Sequence, residues 1–518
     1  MKRKIKIILT CALCLILAAG MLAGCGSKDT AKGGEEVTLN YVAHGPLTMT
    51  VFTSDPAVDY TGLINQCIGT CETLFVLDDT TKEVKPLLAT EIKSVDDTTW
   101  EITIRDGVKF SNGKALNAEA VKSALEYILS VNTRLGTMAN VASMEADGQT
   151  LTVHTNDVVA ILPRILTEMN MLIFDTDDDD YTDGLIGTGP YILEKMDADG
   201  NCDLVRNDDY WQGKPGAARV HTVAIQDEAA RAKALQSGEI DWAQVSNTDL
   251  QLFENDENYE VRTRNDGRVF YLYLNPNYTF TQDDALREAL QYAVDREAIV
   301  AGVYSGHGEA TRSIFPSWSA FYTEQYLQPE YNVETAKKIL TDAGYTDSDG
   351  DGFLEKDGEK VVLNITCYSA NSFPTLSEVL QSMFKEIGID STIKISDKIF
   401  DDLTEGSFNV ATYGYNTLTL GDSFNYMQPV FETDAGSNFT HFSDAGVDAA
   451  LAEMKVTADP DRRAELVRQM QEAIYASNER LYIMHIVNNQ VNVKGVQNLP
   501  TLFGSDNTNN SVLWQITK

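Results

Sequence analysis

An α/β fold in two lobes, with an antiparallel accessory region in the first, is predicted by three features of this chain. Its 518 residues exceed the ~250–300 that one core supports, so at least two domains are required. The stretch 219–245 (RVHTVAIQ, DEAARAKALQSG, EIDWAQV) reads strand, helix, strand: a βαβ unit, which demands a right-handed crossover. Ahead of it lie hairpins with polar turns, which are antiparallel by construction.

The elements follow in order. VTLNYVA (37–43) alternates like a first strand. ATEIKSV and TTWEITIR flank Asp96-Asp97 as a hairpin, with Trp100, Ile102 and Ile104 on one face. Asn117 is a good helix N-cap, and Val121, Ala124, Leu125, Ile128 and Leu129 form the apolar stripe behind it. SMEADGQTLTVHT turns on Asp147-Gly148, and a third hairpin turns through Asp197 to Gly200. Gly238 is placed to cap the crossover helix. The second half repeats the theme: strand 269–275, one helix over 284–304, helix 334–344, strand 361–369, helix 375–388, then strands 391–396 and 408–415. A helix pair near 446–457 and 460–478 precedes a last strand, 481–493.

The N-terminus reads as an export signal. Lys2, Arg3, Lys4 and Lys6 precede an uncharged apolar run from Ile7 to Ala19, too short to span a bilayer comfortably. It ends Leu22-Ala23-Gly24-Cys25, which looks like a lipobox, implying cleavage before Cys25 and lipid on its sulfur. Residues 26–36, rich in Gly, Ser, Lys and Asp, read as a tether. The chain carries 77 acidic against 41 basic residues, four of the basic ones in the signal, and such a field repels nucleic acid and anionic lipid. Of seven cysteines, Cys11 and Cys14 leave with the signal; Cys67, Cys71, Cys202 and Cys367 remain in the body, too few for a disulfide scaffold. Cys67 and Cys71 share a helical spacing and are read as structural, with a metal or redox pair as the alternative.

Several short motifs occur in sequence: RDGVKFSNG (105–113), GTGPY (187–191), Arg206-Asn207 with Tyr210-Trp211, LQSGEID (235–241), and LREAL (286–290) running to Asp295-Arg296. Together these resemble the peptide/nickel family (family 5) of extracytoplasmic solute-binding proteins that feed ABC importers. The resemblance implies a type II periplasmic-binding-protein-like clamshell whose motifs are mostly scaffold. It assigns residues 1–24 to the signal, 25–36 to the tether and 37–274 to lobe I, with the accessory subdomain at about 67–184. Lobe II is 275–486, and 487–518 returns to lobe I. The implied protein is a monomer, lipid-anchored outside the cytoplasm. It hands a short peptide or a nickel or other metal chelate to permease subunits and needs no cofactor. A nickel- or metallophore-specific binder is the alternative.

A secreted hydrolase is the rival class. H-E-x-x-H and G-x-S-x-G are absent, and S-x-x-K at Ser111 and Ser391 has no K-T-G beside it. The six histidines lack metal-ligand spacing. No catalytic residue is assigned. One ion site is weighed: DSDGDGFLE places Asp347, Asp349, Asp351 and Glu355 as in a Ca²⁺ loop, but the twelfth position is Gly358, so a plain polar loop is the alternative.

Ligand-binding candidates come from position and from the resemblance. Tyr41 and His44 end the first strand, and Tyr413, Tyr415 and Asn416 end a strand of lobe II, where open α/β sheets present ligands. In the nickel-binding branch a site arginine follows the KFSNG turn, and the ungapped count lands on Arg134, read as lying at the end of the helix that Asn117 caps. That branch's metal-touching histidine has no counterpart around Gly421-Asp422-Ser423-Phe424; Asp422 instead falls where peptide binders keep the acid for an α-amino group.

Overall fold

The computed structural model describes residues 38–44, 57, 68–78, 81–177, 184–197, 199–225 and 227–499. The expected signal, the lipidation site Cys25, the tether, Cys67 and the tail from 500 onward lie outside the described residues, as do the side chains of Tyr41 and His44.

One mixed sheet runs through the molecule. In spatial order its strands are Tyr191–Met196, Cys202–Arg206, Arg219–Ala224, Thr38–His44, Trp242–Val245, Arg480–Val493, Tyr259–Leu274, Val410–Asn416, Val362–Cys367 and Asp390–Ile395. Thr38–His44 lies between Arg219–Ala224 and Trp242–Val245 and is parallel to both, so those two strands run the same way, as the βαβ reading requires. At the far end Val362–Cys367 is parallel to both of its neighbours.

The two middle strands are long and join the two lobes. Tyr259–Asn265 pairs with Val487–Val493, and Val269–Tyr273 pairs with Arg480–His485, with a register shift between. Trp242–Val245 flanks this ribbon at one end, and Val410–Asn416 flanks it from Arg268 to Leu274 at the other. The sequence places the first change of lobe after Leu274. Tyr259–Leu274 keeps Arg480–Val493 as its partner along its length and gains Val410–Asn416 on its other side from Arg268 onward.

Alternation along this strand builds two cores at once, since successive side chains point to opposite faces. Phe270, Leu272 and Leu274 pack under helices Asp284–Ala293, Val333–Asp342 and Phe373–Glu386. Val269, Tyr271 and Tyr273 face helices Phe424–Phe431, Ala445–Val456 and Pro460–Ala476. The first lobe covers its sheet with Leu39, Tyr191, Leu204 and Trp242 on one side, and with helix Glu228–Ser237 against Ala243 and Val491 on the other.

The accessory region is a four-stranded antiparallel sheet, Ala89–Asp96, Thr99–Ile104, Thr150–Thr155 and Val141–Asp147. Helix Ala118–Val131 buries Val121, Ala124, Leu125 and Ile128 in its core. Its cap is Asn117, which accepts the Ala120 N–H at 2.9 Å, an interaction worth about 1 kcal/mol. Two helices differ from the sequence reading. Asn132 ends the first helix and caps a second, Thr133–Ala139, so Arg134 opens a helix instead of trailing one. The helix expected over 284–304 breaks at Val294, because the Asp295 side chain accepts the Ala298 N–H and starts a new helix at Arg296.

The recurring motifs converge on buried scaffold. Thr188, Tyr210 and Trp211 all donate to Glu72, at 2.8, 2.6 and 2.9 Å. Burial outweighs these bonds and pushes the Glu72 carboxyl up to about 7. Gly187 and Gly189 are required by contact: a Cβ on either would stand 2.2 Å from a backbone oxygen of Thr70 or Gly69. Arg287 and Arg296 are buried and donate to main-chain carbonyls, Arg287 to Thr281 and Arg296 to Tyr482.

Candidate functional site

The strongest candidate is a cavity of about 670 Å³ between the accessory region and the second lobe. One wall is Lys82, Glu83, Trp100 and Arg164. The other is Trp318, Phe321, Leu418, Gly421, Asp422, Asp461 and Arg463. Tryptophans and Phe321 supply apolar surface, and a few charges supply orientation, the usual make-up of a small-molecule site.

Asp422 and Arg463 form the floor. Arg463 Nε donates to Asp422 Oδ2 at 2.8 Å, and Nη2 to Oδ1 at 2.6 Å, a bidentate pair with both side chains under 5 % exposed. The remaining Arg463 amino group donates to the carbonyls of Met454 and Thr457, fixing the fork to the turn between two helices. Asp422 Oδ1 also accepts the Phe424 N–H at 2.8 Å, so it holds the entry of helix Phe424–Phe431.

Arg164 reaches across. Its Nη1 donates to Lys82 O at 2.7 Å on its own side and to Leu420 O at 3.0 Å on the other. Burial lowers the guanidinium below its ordinary value, and the Asp422 charge opposes that shift. The receiving turn is shaped for the contact. Leu420 has φ +56°, a region side chains avoid, which aims its carbonyl at Arg164. At Gly421, φ +68°, a Cβ would lie 2.8 Å from Arg164 Nη1, so only glycine lets the guanidinium in. The indole N–H of Trp100 is buried and makes no hydrogen bond among the described residues, leaving a donor on the wall.

Of the sequence candidates whose side chains are described, this cavity gathers Asp422 alone. Tyr413 is 8 % exposed inside an aromatic cluster, its ring 5.8 Å from Tyr273 and 6.0 Å from Phe400. Tyr415 stacks at 5.1 Å on Tyr426, and Asn416 is buried, accepting the Leu418 N–H at 3.0 Å. Arg134 is half-exposed and pairs with the buried Glu168. Asp347, Asp349, Asp351 and Glu355 cluster elsewhere, in the second lobe. Cys71, Cys202 and Cys367 are buried thiols; burial pushes Cys71 up to about 12, which makes it inert at neutral pH.

Sequence reasoning missed Arg164 and Arg463. Arg164 carried a signal: it is a lone charge in the apolar run ILPRIL, and a charge there must be buried with a partner. Arg463 lies in a polar helix start, DPDRRAE, and nothing local separates it from Arg462. Only the fold distinguishes them: Arg462 pairs with exposed Glu453, Arg463 with buried Asp422.

Over 447 residues the chain is 28 % identical to the nickel-binding protein NikA of Staphylococcus aureus, covering 86 % of each. It is 25 % identical to the oligopeptide-binding protein AppA of Bacillus subtilis, covering 95 % of each. The crystal structure of a nickel ABC transporter protein from Bacillus halodurans superposes with a TM-score of 0.78 at 26 % identity, covering 91 % of this chain and 97 % of that one. Among the described residues no helix is long and apolar enough to cross a membrane. Residues 83–438 match the model described as bacterial extracellular solute-binding proteins, family 5 middle, and the chain belongs to that family.

Proposed function

We propose that this protein is the lipid-anchored receptor of an ABC importer, capturing a short peptide or a nickel or other metal chelate and delivering it to the permease subunits. The observation that carries this reading is the cavity walled from two parts of the fold, with Arg164 bonding across it. Its charged lining is balanced: Lys82, Arg164 and Arg463 against Glu83, Asp422 and Asp461. A balanced lining suits a zwitterion. A peptide with charged ends and an amino-acid chelate of a metal both meet that description, in keeping with the nickel- and oligopeptide-binding names of its relatives.

Asp422 is already engaged by Arg463, so an incoming ammonium group competes with a bidentate fork instead of meeting a free acid. That favours ligands whose carboxylates approach arginine. Arg134 remains the proposed second carboxylate contact, exchanging Glu168 for ligand. Tyr41, His44 and Tyr415 are kept as proposed ligand-binding residues. Cys25 is proposed as the lipid attachment, holding a monomer at the outer face of the cell membrane.

Native mass spectrometry of protein purified from its own host, with metal analysis of the same sample, tests the ligand. A peptide mixture without transition metal rejects the chelate; nickel with a small amino-acid or polycarboxylate ligand rejects the peptide. If a chelate is held, Arg134→Ala weakens it by about 2–5 kcal/mol, whereas peptide affinity responds to Asp422→Asn. Scattering with saturating ligand shows a smaller radius, since contacts with both walls form only on closure. Fatty-acid labelling is lost in Cys25→Ser; persistence of label rejects the anchor.

A further inference from the structure

The acidic loop 347–355 lies outside the cavity and has its own chemistry. Asp347, Asp349, Asp351 and Glu355 each offer a carboxylate oxygen, and the four oxygens lie within 4.8 Å of one another. Thr346 and Glu355 bracket the loop by exchanging backbone bonds of 3.1 and 2.8 Å, so its two ends are fixed side by side. The three aspartates are exposed, whereas Glu355 is 8 % exposed.

Glu355 is the second, independent observation. Its Oε2 accepts both the N–H and the hydroxyl of Ser348 at 2.7 Å, which pins the carboxylate in place. Its Oε1 is buried and accepts no hydrogen bond among the described residues. A buried carboxylate oxygen without a donor is unfavourable unless a cation completes it. The nearby Lys360 does not: its ammonium goes to Asp351 at 3.0 Å and Asp390 at 3.2 Å.

We propose that this loop binds one Ca²⁺, with the three aspartates and the buried Oε1 of Glu355 as its protein ligands. Only oxygen is offered, with no histidine or cysteine in the cluster, so the site selects a hard cation. Ca²⁺ holds oxygens at about 2.4 Å, so opposite ligands can stand up to about 4.8 Å apart, a span within which these four oxygens already lie. Mg²⁺ demands a tighter octahedron and gives up its waters reluctantly, so a set of four carboxylates suits it less. The ion ties the loop that follows helix Val333–Asp342 to the small hairpin Glu355–Lys356 and Glu359–Lys360, and its role is structural. An affinity of about 10⁻⁴–10⁻³ M, that of extracellular modules, suits a protein exposed to external calcium.

The test uses the full chain, stripped with a chelator and exchanged into calcium-free buffer. Titration with CaCl₂ gives saturable one-site heat, and saturating Ca²⁺ raises the melting temperature by about 2–6 °C. Asp349→Asn, at an exposed position, weakens the titration at least tenfold. Glu355→Gln abolishes the calcium-induced shift, yet its calcium-free melt is no lower than wild type, because an unsatisfied buried charge has been removed. Absence of heat and of any melt change up to about 10 mM Ca²⁺ overturns the site. So does an unchanged titration in Asp349→Asn, or a Glu355→Gln protein that keeps the full shift. An equal response to Mg²⁺ overturns the assignment to calcium.

Discussion

Glu72 and Asp422 are both buried carboxylates, and they are satisfied in opposite ways. Glu72 sits among neutral donors, Thr188, Tyr210 and Trp211, and burial raises its carboxyl to about 7. Asp422 has a full counter-charge, Arg463, held in a bidentate fork. The first node is built from residues that the family motifs mark. The second is built from residues that no motif marks, and it faces the cavity. The difference teaches two ways of burying a carboxylate: neutral donors lock a scaffold, whereas a charge pair beside a cavity can be re-partnered by a ligand.

The largest effect is expected from breaking the charged node. Arg463→Ala strands Asp422 without its partner and costs about 3–5 kcal/mol in urea denaturation. Adding Asp422→Asn to it recovers part of that loss, because the orphaned charge is gone. If the double variant is as unstable as the single one, the pair is not the source of the cost.

The neutral node is separated from it by pH. A folded carboxyl near 7, against about 4.5 unfolded, keeps its proton over a range where the unfolded chain has released it. Stability therefore falls as pH rises from about 4.5 to 7, by about 3 kcal/mol from this group. Glu72→Gln removes that fall, and the difference between wild type and variant, measured across pH, isolates it. His485 acts with the opposite sign. Burial lowers it to about 4, so the unfolded chain binds the extra proton and stability rises with pH from about 4 to 6.5. In Glu72→Gln that acid-side rise stands out more clearly. A flat wild-type difference would mean that the three donors hold Glu72 ionised.

Arg164→Lys tests the link across the cavity. Both carbonyl bonds come from one nitrogen, Nη1, and the shorter lysine side chain stops short of that point, so it keeps at most one of them, costing about 1 kcal/mol in stability. Ligand affinity falls more than stability if the arginine also meets the solute. The smallest effect belongs to the scaffold: Cys71, raised to about 12, resists alkylation in the folded protein and reacts only on unfolding.

Much of the fold was legible where local periodicity and packing agree. The hairpin around Asp96-Asp97, the helix behind Asn117 and the βαβ unit all formed as their patterns require. The long strand Tyr259–Leu274 was half hidden, because its first part, YEVRTRND, shows little apolar alternation. That part pairs with VNNQVN of the last strand, and partners so distant leave no local trace. The breaks at Asn132 and Val294 were missed because apolar spacing continued across them while a capping side chain stopped the helix. The candidate cavity was the least legible. Asp422 and Arg463 are brought together by tertiary packing, and the turn that admits Arg164 depends on Leu420 adopting a conformation its side chain disfavours.

The ribbon of two long strands has a consequence for how this chain acquires its structure. Arg480–Val493 supplies hydrogen-bond partners to both lobes, to Trp242–Val245 at one end and to Tyr259–Leu274 along its length. Neither lobe can complete its sheet until that segment arrives. During synthesis the earlier residues wait with open strand edges, and the pairings that close them span hundreds of residues, which makes folding slow. The two lobes therefore complete their sheets together, once Arg480–Val493 has paired.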